Sequence, residues 1–110
     1  MKYNKLVRDK IPEIILADGR EPVTRTLDDE EYVVELKKKL QEEVKEVLES
    51  DPGEHRLEEL GDVLEVMSGL ATVDGYSIDD VIVAARQKRE KRGGFEKRIF
   101  LIEEKKPIKK

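Results

Sequence analysis

The sequence has 110 residues, of which 44% are charged and 37% hydrophobic, with a formal net charge of −4 and no cysteine. This length predicts one domain over residues 1–110 with a single modest core, and the lack of cysteine excludes disulfides and thiolate metal sites. The negative balance argues against a nucleic-acid or membrane partner, and the lack of a signal peptide or long apolar run predicts a cytoplasmic protein.

The first predicted element lies in residues 5–19, KLVRDKIPEIILADG, which carry apolar side chains at mostly helical spacing. Gly19 suits the end of this helix. Pro12 fits only in its first turn, because deeper in the helix a proline removes a backbone hydrogen bond. Residues 21–27, EPVTRTL, are rich in β-formers and therefore predict an extended segment.

Residues 27–50 predict a long helix, which either Asp28 or Asp29 can cap at its start. Its apolar side chains form one stripe at steps of three and four, namely Val33, Leu36, Leu40, Val44 and Val47. The turn residues Pro52 and Gly53 separate it from the next element.

A second long helix is predicted for residues 56–75. Its apolar stripe consists of Leu57, Leu60, Val63, Leu64, Met67, Leu70 and Ala71. Because the connection is short, the two long helices are expected to pack antiparallel through their stripes. Gly61 lowers helix propensity by about 1 kcal/mol, and close approach of the neighbouring helix is the expected reason.

A last helix is predicted for residues 77–92, with Ser77 as its cap and Gly93 and Gly94 at its end. Residues 98–105, RIFLIEEK, are rich in β-formers and can pair with residues 22–27. The predicted fold is therefore all-α, an antiparallel bundle of four main helices, with room for a minor two-stranded ribbon.

Carboxylates concentrate in residues 42–46, EEVKE, and in residues 58–62, EELGD. Glu43 and Glu46 follow one edge of the first long stripe, and Glu59 and Asp62 follow the corresponding edge of the second. Glu42 lies within about 40° of Glu46 and can join from the outer side. Packing through the stripes would bring these edges together.

Converging carboxylates repel one another unless a divalent cation neutralises them. A site with oxygen ligands alone favours Mg²⁺, with Mn²⁺ as the other candidate. Magnesium usually binds through few carboxylates together with substrate phosphates, which indicates phosphate chemistry. Geometry alone leaves open the alternative that these carboxylates form a solvated acidic face.

Read together, the two acidic segments give EExxE, a gap of twelve residues and ExxD. This pattern resembles the signature of the all-α nucleoside triphosphate pyrophosphohydrolases, the MazG-like superfamily, which includes the phosphoribosyl-ATP pyrophosphohydrolases. The segments VLEVMSGLA and KREKRGGFEKRIFL fit the same family. The opening YNKLVRDKIPEII is similar to a small prokaryotic subgroup, so the resemblance covers nearly the whole chain.

The resemblance implies hydrolysis of a nucleotide between its α and β phosphates, giving a nucleoside monophosphate and pyrophosphate. It implies that Mg²⁺ is held by Glu43, Glu46, Glu59 and Asp62. Glu42 would be a further ligand or the base that orients the attacking water, so Glu42 and Glu43 are the candidate catalytic residues. It also implies a homodimer or homotetramer with sites near the subunit interfaces.

Basic residues are expected to bind the remaining phosphates. Lys88 can share a helix face with either Lys91 or Arg92, and family members use basic residues in this place for phosphate contacts. The second candidates are Lys5, Arg8 and Lys10, whereas His55 is expected to be incidental.

Two alternative functions remain at this stage. One is phosphoribosyl-ATP hydrolysis within the same superfamily. The other is a non-catalytic helical oligomer that acts as a binding module.

Overall fold

A computed structural model describes residues 3–107 of the chain. These residues form four helices, α1 (Ile11–Ala17), α2 (Asp29–Glu49), α3 (Glu54–Val73) and α4 (Ile78–Arg92). The predicted all-α fold is confirmed. The described residues separate into a first unit that ends at Ile78 and a second unit that begins at Asp79. No helix among residues 3–107 is long and apolar enough to cross a membrane.

The minor ribbon is not formed, because the described part of the chain contains no strand. Residues 22–27 and 98–105, which were expected to pair, have no regular secondary structure. β-Formers make a stable strand only where a neighbouring strand satisfies their backbone groups. Residues 22–27 instead lead into α2, where Arg25 donates to the carboxylate of Glu31.

Helix α1 begins at Ile11, so that Pro12 lies in its first turn as predicted. Leu6 and Val7 therefore precede the helix, although their spacing is helical. The helix ends in a Schellman motif, in which the Arg20 N–H donates to Ile15 O and the Gly19 N–H donates to Leu16 O. Gly19 has a φ of 82°, which a residue with a side chain rarely adopts.

Helix α2 begins with a capping box. The carboxylate of Asp28 accepts a hydrogen bond from the Glu31 N–H, and the Glu31 carboxylate accepts one from the Asp28 N–H. Asp28 is thus the cap, one of the two residues that the sequence allowed. Arg25, with the Asp28 N–H, stabilises the charged form of Glu31 and lowers its pKa to about 2.

Helices α2 and α3 pack antiparallel, as predicted. Leu36, near the start of α2, lies against Gly69, near the end of α3, whereas Glu43 lies close to Asp62, earlier in α3. The buried Ser50 closes the turn between them, because its hydroxyl donates to Val47 O and its own carbonyl accepts from Arg56. This pair of helices forms the small core of the first unit.

The face that α3 turns toward α2 coincides only in part with the predicted stripe, of which Ala71 is buried and Val63, Met67 and Leu70 are partly buried. Val66, which the stripe omitted, is buried, whereas Leu57, Leu60 and Leu64 are exposed. Gly69 explains the rotation, since a Cβ atom placed there would lie 3.1 Å from Leu36 Cδ2. Because Gly69 has no side chain, α2 can pack closely against the face of α3 that carries Val66 and Gly69. That face also carries Asp62.

Gly61, in contrast, does not serve a close approach, because a Cβ atom built there meets nothing within 4 Å. Gly61→Ala is therefore expected to raise the free energy of unfolding by about 0.5–1 kcal/mol, through helix propensity alone. Urea unfolding measures this change. Gly69→Ala is the matched control and should gain less, because Leu36 must move. An equal increase in the free energy of unfolding for Gly61→Ala and Gly69→Ala would contradict the close contact between Gly69 and Leu36.

In the second unit, α4 runs to Arg92 and is followed by Gly93, whose φ is 82°. The Gly93 N–H donates to Arg89 O, which ends the helix where the sequence predicts. Arg89 also pairs with Glu96 beyond the helix. The residues that follow include the exposed apolar side chains of Phe95, Ile99, Phe100, Leu101 and Ile102.

Candidate metal centre

Three of the predicted carboxylates converge between α2 and α3. One oxygen from each of Glu43, Glu59 and Asp62 lies within 4.8 Å of one from both of the others. Glu43 comes from α2, and Glu59 and Asp62 are separated by almost one turn of α3. The antiparallel packing that buries Leu36 and Val66 therefore also brings these carboxylates together.

The three carboxylates are partly buried, and their mutual repulsion is visible in the titration of Glu43. The Glu43 side chain is only 13% exposed. Burial raises the pKa of Glu43 above its ordinary value, and the negative charges of Asp62, Glu42 and Glu59 act in the same direction. Lys39 opposes the shift without cancelling it. The surroundings of Glu43 thus favour its neutral form over its charged form.

Lys39 is the cation nearest to this cluster on α2. Its Nζ atom lies 3.5 Å from a Glu42 oxygen and 3.6 Å from a Glu43 oxygen. Its side chain is 19% exposed, which is unusually low for a lysine. The sequence prediction did not select Lys39, although its spacing of three and four residues from two site carboxylates was a usable signal.

A segment before α1 supplies two further cations. The Arg8 guanidinium donates to Asp62 with an Nη2–Oδ1 distance of 2.6 Å, across 54 positions of sequence. Lys5 Nζ lies 3.9 Å from Glu42 Oε1. Both residues had been predicted as second candidates for phosphate binding. In this structure they contact site carboxylates.

His55 is placed closer to the site than the sequence prediction assumed. It lies in the first turn of α3, and its Nε2 atom is 3.4 Å from Glu59 Oε1. Because the two residues are four positions apart on one helix, His55 can restrict the orientation of the Glu59 carboxylate. The spacing of four residues between His55 and Glu59 is visible in the sequence and could have predicted this contact.

The remaining predicted site residues lie outside the group of three carboxylates. Glu46 is exposed on α2, and Glu42 lies beside the group with Lys5 and Lys39 as its partners. Lys88, Lys91 and Arg92 are exposed on α4 and belong to the second unit. The roles predicted for these five residues stay predictions.

A cavity of about 230 Å³ adjoins the carboxylates. Its polar lining includes Arg8, Lys39, Glu43 and Asp62. The apolar lining consists of Leu6, Val7, Tyr32, Leu36, Val66 and the backbone of Gly69. Asp9 and Glu65 complete the wall. A lining that combines charged and apolar side chains is typical of a site for a small amphipathic molecule.

The donor set fits a hard divalent ion. Two oxygens that bind one Mg²⁺ at about 2.1 Å are at most about 4.2 Å apart, so oxygens within 4.8 Å need only a small inward movement. The ligands are carboxylates, which suit Mg²⁺, Mn²⁺ and Ca²⁺ rather than softer metals. The raised pKa of Glu43 adds the electrostatic reason for a cation.

The metal-free protein is expected to lose stability as pH rises, through Glu43. Below the ordinary carboxyl range, Glu43 is protonated in both the folded and the unfolded chain. As pH rises through the raised folded pKa, the folded chain must hold a costly charge, and the free energy of unfolding falls.

Urea unfolding of wild type and Glu43→Gln, in chelator across pH 4–8, tests this expectation. The difference in stability should grow in favour of the variant as pH increases. Comparing the two proteins cancels the titration of groups that do not interact with Glu43; the changed titration of Asp62, Glu42 and Glu59 belongs to the effect of the Glu43 charge. A difference that is constant with pH would contradict the raised pKa of Glu43.

Comparison with known proteins finds a partial match. A protein of Mycolicibacterium smegmatis (strain ATCC 700084 / mc(2)155), described as uncharacterized, is 54% identical over 54 residues. The match covers 49% of this chain and 55% of that protein, so the chain spans about half the length of the curated relative it matches. No protein-family model and no solved structure matches the chain.

Proposed function

We propose that the chain is a Mg²⁺-dependent nucleotide pyrophosphohydrolase of the MazG-like superfamily, with Mn²⁺ as an alternative metal. It would cleave a nucleoside triphosphate between the α and β phosphates and release pyrophosphate. The observation that carries the proposal is the convergence of Glu43, Glu59 and Asp62 from two helices. The family resemblance connects these three positions with phosphate chemistry.

The carboxylates of Glu43, Glu59 and Asp62 would hold the ion, and Glu46 would join them through a change of side-chain conformation. When bound, Mg²⁺ neutralises phosphate oxygens and polarises the phosphorus that is attacked. Glu42 lies beside the group and, as a carboxylate, can orient the attacking water and accept its proton. Lys39 keeps Glu42 in place through their 3.5 Å contact.

The cationic groups around the carboxylates support a polyanionic substrate. Lys5, Arg8 and Lys39 can bind phosphate oxygens that the metal leaves unneutralised. For Lys88, Lys91 and Arg92, phosphate binding is implied by the family resemblance alone. Positioning and charge stabilisation supply most of the catalysis in phosphoryl transfer, so a site built from these groups suits that chemistry.

The apolar side of the cavity supports a nucleotide over a bare polyphosphate. Val7 and Tyr32, each 36% exposed, offer an apolar surface beside the charged groups, whereas Leu36 and Val66 of the same lining are buried. A nucleobase has both a flat apolar face and polar edges, so it suits a wall of this kind. The proposal places the reaction in the cytoplasm, where nucleoside triphosphates occur.

The exposed stripe of α3 supports a homodimer or homotetramer. Leu57, Leu60 and Leu64 lie on one side of α3 and are exposed in a single chain. A small domain that leaves such a stripe uncovered commonly covers it with a second copy. Size-exclusion chromatography with light scattering would establish the number of copies.

Pyrophosphate release tests the proposed reaction. The full chain is incubated with Mg²⁺ and a panel of ribonucleoside and deoxyribonucleoside triphosphates, modified nucleotides and phosphoribosyl-ATP. Pyrophosphate and a monophosphate are the expected products. The best substrate distinguishes a triphosphate hydrolase from a phosphoribosyl-ATP hydrolase. Inorganic phosphate as the product would mean a different bond, and no turnover would favour the non-catalytic binding module.

A further inference from the structure

Residues Lys5–Asp9, here called the N-terminal strap, lie over the candidate metal centre. The strap touches both long helices through its charged side chains, since Lys5 contacts Glu42 of α2 and Arg8 contacts Asp62 of α3. Leu6 is partly buried, and residues 6–9 line one wall of the 230 Å³ cavity. The strap therefore borders the site and presents a cation to each long helix.

Arg8 is bonded to one of the three carboxylates that would hold the ion. Its guanidinium is planar, permanently charged and 2.6 Å from Asp62 Oδ1. A divalent ion that binds Asp62 acts on the same carboxylate and repels the guanidinium across a few ångströms. Arg8 and the metal ion are therefore competitors for Asp62.

The surroundings of Arg8 indicate that it is the cation able to move. The Arg8 and Asp62 side chains are 57% and 39% exposed, and ion pairs this accessible to water contribute little to stability. Lys39, in contrast, is mostly buried and fixed by two contacts on its own helix. A phosphate bound in the cavity that Arg8 and Asp62 both line would be a new partner for a displaced Arg8, in competition with Asp9 and Glu65 of the same lining.

We propose that Arg8 is an internal counter-ion, which pairs with Asp62 in the metal-free protein and transfers to a phosphate of the ligand once the metal ion takes Asp62. The strap thereby links metal loading to phosphate binding. This inference rests on the proposed function, because it takes the group of Glu43, Glu59 and Asp62 as the metal site. It assigns to Arg8 two opposite effects, one on metal affinity and one on phosphate affinity.

The first measurement is Mn²⁺ binding to the metal-free full chain, followed by electron paramagnetic resonance. Arg8→Gln is expected to bind Mn²⁺ about three- to tenfold more tightly than wild type, because a competitor is gone. Lys5→Gln removes the same charge from the same strap, but from a contact with Glu42, and should change the affinity less than twofold. Arg20→Gln, which breaks a distant pair with Asp18, should leave it unchanged.

The second measurement is binding of inorganic triphosphate to the protein saturated with Mn²⁺, by calorimetry. Here Arg8→Gln should bind about tenfold more weakly, since a charge-assisted hydrogen bond to phosphate is lost. Tighter metal binding together with weaker triphosphate binding supports the exchange. A merely structural role of Arg8 would weaken both, and a general effect of charge would give Lys5→Gln the same tightening of Mn²⁺ binding as Arg8→Gln.

The outcomes separate this inference from the proposed function. If wild type binds Mn²⁺ and releases pyrophosphate while Arg8→Gln binds Mn²⁺ no more tightly, the exchange is wrong and the proposed function stands. If the two affinities move in opposite directions but no nucleotide is hydrolysed, the exchange stands and the reaction is wrong. Failure of wild type to bind Mn²⁺ overturns both.

Discussion

Replacing Asp62 with asparagine is expected to lower kcat/KM for pyrophosphate release by about 100-fold or more. The substitution keeps the shape of the side chain and removes one negative charge from the group formed with Glu43 and Glu59. A loss of this size corresponds to about 2.7 kcal/mol of transition-state stabilisation. Glu59→Gln should behave alike, because Glu59 supplies the other carboxylate from α3.

The matched control is Glu58→Gln, which makes the same chemical change as Glu59→Gln at the preceding position of α3. Glu58 is exposed and lies outside the carboxylate group. The kcat/KM of the Glu58→Gln variant should therefore stay within about twofold of the wild-type value. Circular dichroism of all three variants establishes that the helices are intact. The metal centre would be in the wrong place if Asp62→Asn retained activity, or if Glu58→Gln lost as much as Asp62→Asn.

Helical periodicity was sufficient to predict α2, α3 and their antiparallel packing, because each helix is long and a short turn joins them. It also predicted that carboxylates from the two helices converge, and Glu43, Glu59 and Asp62 do so. The two helices and their antiparallel packing depend on positions within one helix or on a single short connection, and that local information is present in the sequence. The convergence also depends on which face of α3 meets α2, and Glu46, which was predicted to converge, lies outside the group.

The face of α3 that packs against α2 was not predictable from helical periodicity. The α3 sequence is apolar on more than one side, so the stripe through Leu57, Leu60 and Leu64 was a reasonable choice. The actual face is decided by Gly69, where Leu36 comes so close that any side chain would be crowded. Such a contact joins residues 33 positions apart, and periodicity within one helix cannot report it.

The strap was missed for a related reason. Leu6 and Val7 continue the helical spacing of α1, but Pro12 requires the helix to begin next to it, at Ile11. The strap is therefore not helical, and its Arg8 contacts Asp62, which lies 54 positions later in the sequence. Lys39 and His55 differ from this case, since their spacing of three to four residues from site carboxylates is local and visible in the sequence.

Saturating Mg²⁺ is expected to stabilise the wild-type protein strongly. A ligand that binds only the folded chain, at one hundred times its Kd, adds about 2.7 kcal/mol to the free energy of unfolding. In a chain of this size that gain raises Tm by about 10 °C. Differential scanning calorimetry in Mg²⁺ and in chelator measures the shift. Potassium chloride at equal ionic strength is the control, because salt alone also screens repulsion between exposed charges.

In the same calorimetric experiment, wild type and Glu43→Gln should exchange their order of stability between chelator and Mg²⁺. In chelator the variant is expected to be the more stable, because it no longer carries the partly buried charge that Asp62, Glu42 and Glu59 repel. In Mg²⁺ the wild type should be the more stable, because the variant has lost a ligand and with it most of the metal-dependent gain. A solvated acidic face predicts no such crossing. Burying carboxylates together costs stability in the metal-free chain, which Lys39 offsets only in part, and a cation that binds between them would recover the rest.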